Sequence, residues 1–116
     1  MALQTLSQRR AHHAWKVVDA HLSRSGIEDF AREAKKLPMR ILTSGLGQSL
    51  AFAKKKSPEL VDALTSWMQE YQRDDRIVDL LERVVKGDSD FQRLATAECL
   101  AYLAWLVRFA DAPRKE

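Results

Sequence analysis

A chain of 116 residues with 46% hydrophobic and 30% charged positions can bury a core, which excludes an intrinsically disordered segment. Three prolines and four glycines are too few for a turn-rich β fold, and the longest apolar run, the nine residues from Cys99 to Val107, is too short to span a membrane. The formal charge of +3 conceals an uneven distribution: residues 1–56 carry eleven Lys and Arg against four Asp and Glu, a net of +7, while residues 57–116 carry eight against twelve, a net of −4.

The opening MALQTLSQRR has no apolar run after its charges, so it does not read as a secretion signal, and the cytoplasm is the expected compartment. The first helix is expected from about Leu6 to Leu22, with Thr5 and Gln8 as a capping box. Ala11, Ala14, Trp15, Val18 and Leu22 fall on one side of it, and Arg9, His12, His13 and Lys16 on the other. A second helix, capped by Ser25 with Glu28, runs from Ile27 to about Lys36 on the stripe Ile27, Phe30, Ala31 and Ala34. Pro38 should interrupt it and open a short third helix to about Thr43; if Pro38 only kinks the chain, the total is six helices rather than seven.

Gly45 and Gly47 bracket the next joint, and a helix follows from about Gln48 to Lys55. Ser57 and Pro58 stop it and start another, which reaches about Gln72 on the stripe Leu60, Val61, Leu64, Trp67, Met68 and Tyr71. The segment Arg76 to Lys86 should bury Ile77, Leu80, Leu81 and Val84 before Gly87 ends it. The last helix is expected from Ser89, in a capping box with Gln92, to about Asp111. It is apolar nearly all round from Leu94 to Ala110, which suits the centre of a bundle. Cys99, the one cysteine, cannot form an internal disulfide and reads as a packed thiol in that helix. No segment alternates with period two. The expected fold is all-α: a compact bundle of six to seven helices with a buried C-terminal helix, one domain over residues 1–116.

The chemistry of catalysis is not apparent. His12, His13 and His21 lack metal-ligand spacing, and there is no HExxH or CxxC; His12 and His13 read as a solvated pair. Ser44-Gly45-Leu46-Gly47 is not a nucleophile elbow, and GLGQSL lacks the third glycine of a dinucleotide loop. Gly45 is instead expected to end a helix, and Gly47 to let two helices pack closely. The acids Asp74-Asp75 and Asp88-Asp90 suit helix starts. Glu98 stands in the stripe Phe91, Ala95, Tyr102, Trp105 and Phe109 and needs a partner, for which Arg40 or Arg108 is the expected source, within the chain or across a subunit contact. No catalytic residue, metal, cofactor or small-molecule substrate is expected.

Basic clusters are the remaining feature: Arg9, Arg10 and Lys16; Arg32, Lys35 and Lys36; Arg40; and Lys54, Lys55 and Lys56. Together they suggest a surface that tracks phosphates, and no base-reading module accompanies them, so binding should be indifferent to sequence. The alternative is a helical protein–protein adaptor that acts through acids such as Asp62, Glu70 and Asp79.

Two stretches carry a family resemblance: RILTSGLGQSLAFAKKK, residues 40–56, and ATAECLAYLAWLVRFADA, residues 95–112. The turn Gly45, Leu46, Gly47 and Gln48 before Phe52, and the later Glu98, Tyr102, Leu103, Trp105, Leu106, Arg108 and Phe109, resemble the small helical subunit of the type III-B, Cmr-type CRISPR effector complex. The resemblance implies a non-catalytic subunit of an RNA-guided, RNA-targeting complex. Copies of it would stack beside the subunits that hold the guide, and help form a basic channel for guide and target RNA while cleavage belongs to another subunit. Its implied partners are the other subunits, guide and target RNA, and neighbouring copies of itself, with no membrane. Gly45, Gly47, Glu98, Trp105 and Arg108 would then be structural or interface positions.

Overall fold

A computed structural model describes residues 3–21, 26–74 and 76–111. The expected end of the first helix at Leu22, the cap at Ser25, Asp75 and Ala112 lie outside the described residues. Six helices follow one another: α1 (Leu6–His21), α2 (Ile27–Ser44), α3 (Leu46–Lys56), α4 (Pro58–Gln72), α5 (Leu80–Lys86) and α6 (Ser89–Asp111). Among the described residues there is no strand, and none of the helices is long and apolar enough to cross a membrane.

The helix starts are set locally. Thr5 and Gln8 close their box in both directions: the Thr5 N–H donates to Gln8 Oε1 at 2.8 Å, and the Gln8 N–H donates to Thr5 Oγ1 at 3.0 Å. Pro58 takes the first turn of α4, where its missing N–H costs nothing. Asp79 caps α5 by accepting from the Leu81 N–H. At α6 the cap is Asp88, whose carboxylate accepts from the Phe91 N–H at 2.8 Å; Ser89 is already helical, so the expected Ser89–Gln92 box gives way to a cap one residue earlier.

Pro38 does not end a helix. α2 runs through it from Ile27 to Ser44, 18 residues in all, so the described residues form six helices with no separate helix at Pro38–Thr43. A proline inside a helix costs about 3 kcal/mol. Here Phe30, Ala34, Leu37 and Ile41 stay on one buried stripe across the proline. Burying Leu37 and Ile41 alone returns about 1.5–3 kcal/mol each, so continuing the helix wins. It stops at Gly45, where φ is 84° and the N–H donates to the Ile41 carbonyl at 2.9 Å. α3 starts directly afterwards, at Leu46 rather than Gln48.

α5 is shorter than expected. Arg76 and Ile77 precede it in a non-helical turn, held by the Asp74 carboxylate accepting from the Arg76 N–H and guanidinium. Ile77 is nevertheless buried. Inside, the Leu80 N–H donates to Thr65 Oγ1, which itself donates to the Val61 carbonyl.

α6 packs against all five other helices and is the axis of the fold. Phe91, Ala95, Glu98, Cys99, Tyr102, Leu103 and Leu106 form its buried stripe. It is not covered all round: Arg93, Ala97, Ala104 and Arg108 are exposed along one strip. The particle is a slab of 45 × 40 × 23 Å.

Candidate nucleic-acid interface

Where α1, α4 and α6 meet, Arg10, His13, Ser66, Trp67, Glu98 and Tyr102 are linked to one another by side-chain hydrogen bonds and ring contacts. Arg10 grips Glu98 with two bonds, Nε to Oε2 at 2.6 Å and Nη2 to Oε1 at 2.9 Å, and Trp67 Nε1 donates to the same Oε2 at 3.0 Å. Neither Arg40 nor Arg108 is the partner of Glu98. α1 lies along α6 and brings Arg10 onto the carboxylate, a juxtaposition over 88 positions that helical spacing does not encode. The Glu98 carboxylate raises the Arg10 guanidinium above its ordinary range, against some desolvation.

His13 is buried rather than solvated. Nδ1 lies 2.7 Å from Tyr102 Oη and Nε2 lies 2.9 Å from Ser66 Oγ. Trp67 and Tyr102 meet the imidazole edge to face, and their own rings are stacked with an interplanar angle of 7°. The inner stripe of α1 is therefore Arg10, His13, Ala14 and Val18. Trp15 is displaced to the edge, where it meets Phe109. Burial lowers the His13 imidazole below its ordinary value and raises the Tyr102 phenol.

The basic residues divide by what they face. Arg9 pairs with Glu70 at 3.8 Å and lies over the Trp67 ring. Lys16 lines a groove between α1 and α4 with Glu59, Asp62 and Glu70, so α1 looks onto carboxylates. Arg32 pairs with Asp29 at 2.7 Å and Lys35 with Asp111 at 3.0 Å. Lys54 pairs with Asp79 at 2.6 Å, which raises its ammonium, and so it turns from α3 towards the start of α5. The three consecutive lysines therefore do not form one patch. Among the described residues, Lys16, Lys36, Lys55 and Lys56 have no ion pair. Four of the pairs, Arg9–Glu70, Arg10–Glu98, Lys35–Asp111 and Lys54–Asp79, join the basic half of the sequence to the acidic half.

The clearest convergence lies between α2 and α3. Arg40, Ser44, Gln48, Ser49 and Phe52 line one groove. The Arg40 guanidinium lies over the Phe52 ring at 4.3 Å from its centroid and is held from behind by the buried Glu33, at 2.9 Å. Lys56, one turn after Phe52, places its ammonium 5.8 Å from the same centroid. Lys36 precedes Arg40 by one turn and is exposed. Phe52 is 42% exposed, whereas Leu46, Leu50 and Ala53 of the same helix are buried. Its polar neighbours at positions 48 and 56 mark that face in the sequence, but an isolated aromatic in a helix is ordinarily core.

The remaining positions have varied settings. Gly47 is not at a close helix crossing: a Cβ there would lie an ordinary 3.9 Å from Val84 Cγ1. Trp105 is half-buried against Phe109. Arg108 is exposed beside Lys35, Pro38, Leu100 and Ala104. Among the described residues, no three of His, Cys, Asp and Glu come together to hold a metal ion.

Residues 6–113 match the family described as CRISPR-associated protein (Cas_Cmr5). The fold is similar to the X-ray crystal structure of a CRISPR-associated Cmr5 family protein from Thermus thermophilus, with a TM-score of 0.78 and 26% sequence identity, over 92% of this chain and 96% of that one.

Proposed function

The chain belongs to the Cmr5 family of CRISPR-associated proteins, subunits of the type III-B (Cmr) complex, and on that premise we propose that it is a non-catalytic small subunit of an RNA-guided ribonucleoprotein in antiviral defence. It acts in the cytoplasm as one helical unit over residues 1–116. It stacks with neighbouring copies of itself beside the subunits that hold the guide, and it lends a basic wall to the channel for guide and target RNA. It needs no cofactor, membrane or small-molecule substrate.

The observation that carries the RNA part is the α2–α3 face. There Lys36, Arg40, Lys55 and Lys56 are drawn from one short span of sequence, and only Arg40 has an ion pair. Arg9, Arg10, Lys16, Arg32, Lys35 and Lys54 contribute less, because each meets a carboxylate or faces an acidic groove. The three cations without an ion pair among the described residues of that face, Lys36, Lys55 and Lys56, give on single-stranded RNA a slope of log affinity against log salt of about −2.

The test is titration of labelled single-stranded RNA of varied sequence at several salt concentrations, with the chain alone and assembled with its partner subunits. Weak, sequence-indifferent, steeply salt-dependent binding is expected. Charge reversal at Lys36, Lys55 and Lys56 should weaken it without loss of helical circular dichroism. Salt-insensitive binding, or none even in the assembly, contradicts the proposal. If reversal at Asp62 breaks partner association while the lysine variant behaves as wild type, the adaptor reading replaces it.

A further inference from the structure

We propose that Phe52 is a stacking subsite for one nucleobase of single-stranded RNA, with Lys56 and Lys36 taking the adjoining phosphates. The inference rests on the reading that this chain meets RNA, and it assigns to the α2–α3 groove a contact that charge alone does not supply.

Phe52 is the exposed aromatic of α3, and the groups over its ring are cations. A cation within about 6 Å of a ring centroid is attracted by the π-face. Arg40 does more than sit there: its pair with Glu33, a residue only 8% exposed, holds the guanidinium over the ring. The guanidinium covers one face of the ring, so a base stacks on the exposed remainder of the Phe52–Arg40 pair, whose geometry is set before any ligand arrives. Every nucleobase has a π-face, so such a platform is tolerant of sequence. Ser44 and Gln48 line the same groove with small, exposed polar groups, able to meet a base edge without selecting one.

A protein side chain is the poorer occupant. Covering Phe52 with an apolar anchor would also strip water from Lys56, which has no ion pair among the described residues, and a desolvated charge without a partner is unfavourable. A nucleotide supplies both missing elements at once, a flat apolar face for the ring and an anion for the ammonium.

The experiment compares wild type with Phe52→Leu, Phe52→Ala and Phe52→Trp against two probes, a short oligo(U) RNA and inorganic polyphosphate, which has the charge without bases. The full chain is used, alone and in the assembled complex, and thermal unfolding confirms that each variant is folded. Phe52→Leu, which keeps an apolar side chain and loses the ring, should bind oligo(U) about tenfold more weakly. Phe52→Ala should do the same, Phe52→Trp should bind at least as well as wild type, and polyphosphate affinity should be equal in all four. Wild-type oligo(U) affinity in a folded Phe52→Leu chain overturns the stacking subsite while leaving RNA binding intact. Unchanged oligo(U) binding with weakened subunit assembly overturns it in favour of a protein contact. Failure of the wild type to bind oligo(U), alone and assembled, overturns the RNA reading itself.

Discussion

Arg10 on α1 and Glu98 on α6 form a bidentate ion pair, with both carboxylate oxygens engaged and Trp67 completing the set. Glu98 is 4% exposed and Arg10 20%. Removing one member of a buried pair leaves the other charge uncompensated, at a cost of about 3–5 kcal/mol. Arg10→Ala should therefore destabilise the chain by roughly that amount in urea unfolding. Arg10→Met with Glu98→Leu should recover part of the loss, since an apolar pair leaves no buried charge but strands the buried Trp67 N–H. A single variant as stable as wild type would show that water already reaches Glu98.

His13 gives stability a pH dependence of defined sign. Burial lowers its folded value below the ordinary imidazole value of 6.5, while the unfolded chain titrates near that value. The unfolded state therefore binds more protons as pH falls below about 6.5, by up to about 1.4 kcal/mol per pH unit until the folded imidazole also titrates. The contribution is complete above about pH 6.5 and is lost on acidification. Urea midpoints between about pH 7.5 and 5 should fall more steeply for wild type than for His13→Phe; parallel curves would count against this assignment.

The glycines should separate in a scan. Gly47→Ala is expected to be neutral or stabilising by up to about 1 kcal/mol, because the added methyl meets only Val84 at ordinary distance. Gly45→Ala should lose about 1–2 kcal/mol to its φ of 84°. Gly87→Ala has no such strain but places its Cβ 2.8 Å from the Arg83 carbonyl oxygen, so it should also destabilise. Thermal midpoints in the order Gly47→Ala above both others are the expected result.

Cys99 is fully buried, and burial pushes its thiol up to about 12. It should not react with an aromatic disulfide reagent at about pH 8 in the native state, and should react at once in denaturant. Rapid modification of the folded chain would mean that α6 opens locally.

What could be read from the sequence was local. The Thr5–Gln8 box, Pro58 at a helix start, Gly45 at a helix end and the placement of α6 all follow from a few adjacent residues. Pro38 misled because its cost is local while the burial of Leu37 and Ile41 that offsets it is tertiary. His13 misled for the same reason: Ser66 and Tyr102 make its burial possible, and both are distant in sequence. For Glu98 the need for a partner was legible and the partner was not, since Arg10 reaches it only after α1 docks. At the candidate interface the basic residues were visible, but ion pairing removes several from service, and Phe52 gains meaning only beside Arg40.

The four ion pairs between the two halves of the sequence carry a further consequence. Residues 1–56 and 57–116 carry opposite net charges, so their attraction favours the compact state and is screened by salt. The folded chain in that respect holds its own polycation against its own polyanion. The native particle then displays to an outside polyanion chiefly the cations that its own carboxylates, from either half, have not already claimed.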